Sequence, residues 1–423
     1  MNKTLYILFF LTVFVGCRKE DEEAPVLLVD QIDGVSSLSY FDFVRVYGNV
    51  SDNEELSWVR MEVFDENLNT SGISTTGSLQ GAAASFDLTI HLNDKRMPSG
   101  NYFLKISCSD KSGNQDSQWL EFYYTELPWA LEGVYAVNVN SNSFDVLELD
   151  VLQSSSSVVA TQMGNFEDLE CNGFQECIFI AKSSENNVVA LEPIIHSETG
   201  NYFSNPSNDL TFNRLAPSED GKNVWVSTEE GRIIKLNQQS SAVRTINLNK
   251  NLPEELIETQ NYLGVTFSQN NQNELRVYNQ SSGTLISTKS WTNPIKKIFE
   301  INENEWLVIS QASSGVQLDK LQVDSGTKIF LQEISGEVLN DAVSNDGQAL
   351  FALSNGLYGY NFLNGQLTLY NSGIFNLVRF DKVSNQIYAV AGSQVKVLNV
   401  FGTEQAHMQL SSLIADIELL YNK

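Results

Sequence analysis

Seven apolar, strand-like runs recur at nearly constant spacing through residues 128–423, centred on Tyr135, Phe179, Trp225, Val265, Leu307, Phe351 and Tyr388. Successive centres lie 44, 46, 40, 42, 44 and 37 residues apart. A unit of that length is one supersecondary element that buries its apolar face only by stacking on copies of itself. Two repeats show the internal order. Ser218-Glu219-Asp220-Gly221 leads into Val224-Trp225-Val226, and Gly231 then opens Ile233-Ile234-Lys235-Leu236. Ser344-Asn345-Asp346-Gly347 leads into Leu350-Phe351-Ala352-Leu353, followed by Gly356-Leu357-Tyr358. Each reads as an Asp-Gly turn, an apolar strand, a glycine turn and a second strand.

After the seventh centre a single further strand remains, over residues 414–420. A lone strand leaves an unpaired edge. Pairing it as the innermost strand beside residues 133–137 closes a ring, so the repeat predicts a seven-bladed β-propeller over residues 128–423. These residues resemble the broad propeller class of WD40-like and quinoprotein-like lipoproteins, although no Trp-Asp dipeptide recurs, and that resemblance implies architecture rather than activity.

Residues 25–127 alternate with period two in Phe43-Val44-Arg45-Val46-Tyr47, Trp58-Val59-Arg60-Met61-Glu62-Val63, Ser85-Phe86-Asp87-Leu88-Thr89-Ile90 and Tyr102-Phe103-Leu104-Lys105-Ile106-Ser107-Cys108. This predicts a β-sandwich, with Cys108 buried in a strand. The hairpin from Gly100-Asn101-Tyr102 through Ser109-Asp110-Lys111-Ser112-Gly113-Asn114 resembles the late strands of bacterial Ig-like modules. The whole chain is therefore expected to be all-β, an N-terminal Ig-like sandwich followed by the propeller.

The N-terminus carries one lysine, Lys3, before an apolar run over residues 5–15 that is too short to span a bilayer as a helix. Phe14-Val15-Gly16-Cys17 resembles the bacterial lipobox, which implies a signal peptide over residues 1–16 and acylation, with palmitate, of Cys17. Residues 17–24 then read as a charged, solvated tether. Within it Lys19-Glu20-Asp21 resembles the export signal of Bacteroidota-type surface lipoproteins, which implies an outer-membrane protein anchored by lipid and facing the cell exterior.

The 26 lysines and arginines are outnumbered by 52 aspartates and glutamates, for a formal net charge of −26. That balance excludes a nucleic-acid role, because phosphate binding depends on clustered cations that displace counterions. Cys171 and Cys177 flank a turn-prone Asn172-Gly173, so a disulfide closing that loop is expected in an oxidising compartment. Oxygen ligands for calcium are available at Asp110, Asp116, Asp52, Glu54 and Glu55, but Asp and Asn in turns ordinarily bond their own backbone, and no metal or other cofactor is assigned.

The three histidines, His91, His196 and His407, form no metal-binding spacing, and no nucleophile elbow or phosphate loop is present. The acidic group Glu167, Asp168, Glu170 and Glu176 reads as a solvated loop. Trp129, Trp291 and Trp306 are the aromatics that would stack on a sugar or anchor a protein, if they lie outside the packing between blades. The expectation is a non-catalytic, protein-binding scaffold, an accessory subunit of an outer-membrane β-barrel complex such as an importer or an export machine. The alternative is a glycan-binding lipoprotein of a polysaccharide uptake system, and a propeller polysaccharide lyase or hydrolase ranks third.

Overall fold

In a computed structural model, residues 21–34, 37–183, 186–203, 210–219, 221–248, 252–269, 272–345 and 347–423 are described. Cys17, Lys19, Glu20 and the signal segment lie outside them. The chain divides into two compact units, Met1–Pro128 and Trp129–Lys423.

In the first unit a three-stranded sheet of Val26–Asp33, Phe43–Ser51 and Ala83–His91 faces a five-stranded one built around Gly100–Asp110. Alternate residues of both sheets meet in one apolar core that contains Val46, Met61, Leu104, Ile106 and Cys108. This is the inward half of the period-two pattern. Burial pushes the Cys108 thiol up to about 11, so it behaves as a small apolar side chain.

Among the described residues, the second unit holds seven four-stranded antiparallel sheets. Six follow chain order, with inner strands Phe166–Asn172, Phe212–Pro217, Pro253–Glu258, Ile295–Asn302, Leu339–Asn345 and Leu377–Asp381. They are called here the second to seventh sheets. The first combines Leu131–Val139, Ser143–Asp150 and Ser155–Met163 with the final strand Ile414–Tyr421 as its innermost member. That strand pairs antiparallel with the chain around Tyr135, Glu418 lying opposite Tyr135 itself. Each inner strand contacts the next, and Ile414–Tyr421 touches both Leu377–Asp381 and Phe166–Asn172. The unit is a β-propeller.

Every apolar centre of the sequence repeat falls in the second strand of its sheet. These strands are buried on both faces, so their side chains feed the cores on either side. A separate apolar cluster fills each junction between neighbouring sheets, for example Tyr135, Val137, Ile178 and Val189 between the first and second. Gly173 sits where the closing strand passes: a Cβ there would lie 2.4 Å from the carbonyl oxygen of Tyr421.

The expected disulfide is absent, and strand register explains why. Cys171 lies opposite Ile178 and Asn172 opposite Cys177, so the two cysteines project from opposite faces of the second sheet. Cys177 joins the core shared with the third sheet, and Cys171 packs against the core shared with the first. Side chains on opposite faces cannot meet bonding geometry without moving the backbone. Both are free thiols, and burial raises the Cys177 pKa to about 12. Alkylation in denaturant without reductant is expected to label both, and reductant is expected to leave the melting temperature unchanged; a mass deficit of two hydrogens would overturn the assignment.

Candidate functional site: the axial channel

The inner strands alternate like any strand, but their inward residues face a channel rather than a core. At the end where these strands begin, the channel opens into a cavity of about 520 Å³. At the other end it opens into one of about 680 Å³, and Glu170, Lys297, Arg379 and Glu418 line both. The first cavity holds eight carboxylates against four cations.

Arg379, on the seventh inner strand, is the centre of the network. Its guanidinium donates to Asp341 of the sixth strand at 2.8 Å and to Asp416 and Glu418 of the closing strand at 3.0 and 2.5 Å. One side chain thus ties three consecutive sheets, including the pair that completes the ring. Lys297 of the fifth strand lies 3.4 Å from Glu255 of the fourth and 4.0 Å from Asp341. Arg214 of the third strand lies 3.7 Å from Asp168 of the second. Carboxylates also bridge sheets through the backbone: the Leu215 N–H donates to Asp168 at 2.7 Å, and the Val378 N–H to Asp341 at 2.9 Å.

The surplus of acid shows in its protonation. Burial, followed by the negative charge of Asp416, pushes Asp168 up to about 8 against the opposing pull of Arg214. Burial pushes Glu418 up to about 7 even though Arg379 favours its charged form. Burial and then Glu418 raise Glu170 as well. At neutral pH the channel therefore holds protons on carboxyls that are ionised in an unfolded chain.

The tryptophans expected to stack on ligands are placed differently. Trp306 has no exposed surface and Trp291 is buried with it in the core between the fourth and fifth sheets. The Trp291 indole N–H donates to Asp319 at 3.1 Å. A strand residue at a sheet junction serves packing, which removes both from a binding face. Trp129 is partly exposed, but the Lys382 ammonium covers its ring and Tyr421 packs edge-on at 5.9 Å.

Glu167, Asp168 and Glu170, read from sequence as a solvated loop, stand on an inner strand and line the channel. Arg214, Glu255, Lys297, Asp341, Arg379, Asp416 and Glu418 escaped the sequence reading. A usable signal exists, since one charged residue stands 9 to 11 positions before six of the seven apolar centres: Asp168 before Phe179, Arg214 before Trp225, Glu255 before Val265, Lys297 before Leu307, Asp341 before Phe351 and Arg379 before Tyr388.

In the first unit Asp21, Asp52 and Asp110 each bring one oxygen within 4.8 Å of the others. Asp110 already accepts from the Asn114 backbone and side chain, while Asp116 accepts from the Leu27 N–H and Glu55 pairs with Lys111. The wider calcium set is thus divided among separate contacts.

No family model matches the chain, and no curated protein matches it. Among solved structures it is similar to a dihydro-heme d1 dehydrogenase, NirN, in complex with DHE, at 13% identity and a TM-score of 0.47 over 66% of this chain. The chain spans 64% of the NirN chain. It is also similar to the β-propeller domain of Cps50 (Swd1) from Myceliophteria thermophila, at 10% identity and a TM-score of 0.48, over 59% of this chain and 88% of that one.

Proposed function

We propose that this chain is an outer-membrane lipoprotein, anchored through Cys17 and displayed on the cell exterior, that serves as a non-catalytic protein-binding scaffold beside a β-barrel partner. In chain order, a short acidic tether is followed by an Ig-like sandwich and then by a seven-bladed propeller. Support for seven blades comes from the seven four-stranded sheets among the described residues and from the closing strand against Tyr135. The observation that carries the scaffold reading is the use made of the channel's charged groups. Arg379, Lys297 and Arg214 each bridge carboxylates on a neighbouring sheet, so these groups hold the disc together. A rigid disc with loops on both faces is a preformed surface for a partner.

The test has two measurements. The mass of the mature N-terminal peptide is expected to be that of acylated Cys17, and extraction in mild detergent is expected to bring a large β-barrel protein along with the chain. An unmodified N-terminus together with extraction of the chain alone would overturn the reading.

One observation favours the glycan alternative on new residues. Trp119 and Tyr123 are exposed on the outer face of the five-stranded sheet, with Phe64 and Phe103 ringing Trp119 at 5.3 and 6.5 Å. Aromatic faces beside polar groups suit sugar C–H surfaces. Glycan-array binding abolished by Trp119→Ala would put this alternative first.

A further inference from the structure

Architecture makes the seven turns between third and fourth strands equivalent, and all open on the same side of the disc as the turns between first and second strands, because the sheets repeat one up-and-down order around the ring. Their composition is not equivalent. In the third, fourth and fifth sheets the tips are Gln238-Gln239-Ser240, Ser281-Ser282-Gly283 and Asp324-Ser325-Gly326. In the sixth, seventh, first and second, which follow one another around the ring, the corresponding tips carry Leu363, Phe401, Leu152 and Ile194-Ile195. Leu363 is 94% exposed, Phe401 79%, Leu152 70% and Ile194 74%.

A two-strand turn needs Asn, Gly, Asp or Ser, not a large apolar side chain. The three polar tips show that this fold forms its turns without one. The four apolar tips bury little in the folded chain, and together they make an exposed apolar arc over about half of one rim. Apolar side chains exposed on consecutive sheets of one rim, where the other tips are polar, are surface that a partner spanning those sheets would cover. Within it, between the first and second sheets, lies a groove of about 220 Å³ whose lining includes Glu132, Glu148 and Glu176 beside Ile194 and Pro193. These carboxylates belong to the acidic surplus that gives the chain its net charge of −26.

We propose that this arc and groove dock a protein segment that presents lysine or arginine side chains next to apolar ones. The apolar tips supply area to bury, and Glu148, together with the acidic balance of the chain, supplies the complementary charge that steers a basic partner and sets its register. This rests on the protein-binding reading and names the face and the chemistry of the partner.

The test uses the full chain in non-ionic detergent and a short labelled peptide of Lys, Leu and Ser, with a counterpart in which Glu replaces Lys. Binding is read by anisotropy, and micelle partitioning is common to all variants. Leu363→Asp with Phe401→Asp, Leu152→Asp with Ile194→Asp, and Glu148→Lys are each expected to weaken the Lys peptide about tenfold or more, which corresponds to about 1.4 kcal/mol. Ser281→Asp and Ser325→Asp, on the polar tips, are expected to leave it unchanged. Equal binding of both peptides, or undiminished binding by all arc variants, overturns the proposal. Flotation with phosphatidylcholine vesicles tests a lipid surface as occupant: vesicle binding lost in the arc variants while peptide binding persists also overturns it. A β-barrel partner that co-extracts but is not released by the arc variants sinks this inference and leaves the scaffold reading standing. Arc-dependent peptide binding with nothing co-extracted does the reverse.

Discussion

Arg379→Met is expected to lower the melting temperature of the ring by roughly 10 °C, the largest effect of any single substitution in the channel. The guanidinium offers five donors in a rigid fork, and here it satisfies three carboxylates on two neighbouring sheets while also donating to its neighbour's carbonyl, Val378 O, at 2.8 Å. Removing one partner from a buried ion pair costs about 3–5 kcal/mol, because the carboxyls that remain must either stay charged without a cation or take up protons, and in both cases they lose the donors that Arg379 supplied. In a domain of this size each kcal/mol moves the midpoint by roughly 2–4 °C. Arg379→Lys keeps one charge but not the fork, and an intermediate loss is expected. Thermal unfolding followed by tryptophan fluorescence reads it, since Trp225 and Trp306 are buried in the ring. A midpoint unchanged in Arg379→Met would show that the three carboxylates are held by something other than this side chain.

The position of Arg379 also shows why the fold was legible in the sequence and the channel was not. Apolar centres recur because each second strand is buried on both faces, and that demand is strict enough to write a period into Tyr135, Phe179, Trp225 and their successors. The closing strand could be placed because the first sheet, built from three consecutive strands, is the one that lacks an inner strand of its own. The inner strands obey a looser rule. Their inward positions must be polar and must balance across strands far apart in sequence, so Asp341, Arg379 and Glu418 make sense only as a set. Cys171 and Cys177 failed for a related reason: loop length suggested a bridge, but register decides which face a side chain leaves from. Trp306, on a second strand, and Trp291, at the end of an outer strand, both went to a junction core, because a large ring that can reach the space between two sheets is buried there before it is available to a ligand.

The same surplus of carboxylates fixes how stability should vary with pH, and the direction is the less familiar one. Asp168 and Glu418 titrate near 8 and 7 in the folded chain, whereas free carboxyls titrate near about 4. A group whose folded pKa is raised binds its proton more tightly in the native state. Its contribution is fully present below the unfolded pKa and is lost as pH rises through the folded one. Groups shifted the other way, such as Glu305 beside Lys320 and Glu404 beside Lys396, lose their contribution as pH falls, but they lie at the surface where water screens them. The buried set therefore dominates. Between pH 5 and pH 8.5, at constant ionic strength, the midpoint of the ring is expected to fall by roughly 10 °C or more, since two groups that keep a proton over about 2 to 3 pH units each contribute about 1.4 kcal/mol per unit. In Arg379→Met the acids lose the cation that opposes burial, so Asp416 and Glu418 hold their protons to higher pH and the decline shifts upward with them. A midpoint that rises from pH 5 to pH 8.5 would mean that the channel carboxyls are already ionised, and that the protein holds its ring together with more positive charge than Arg214, Lys296, Lys297 and Arg379 provide.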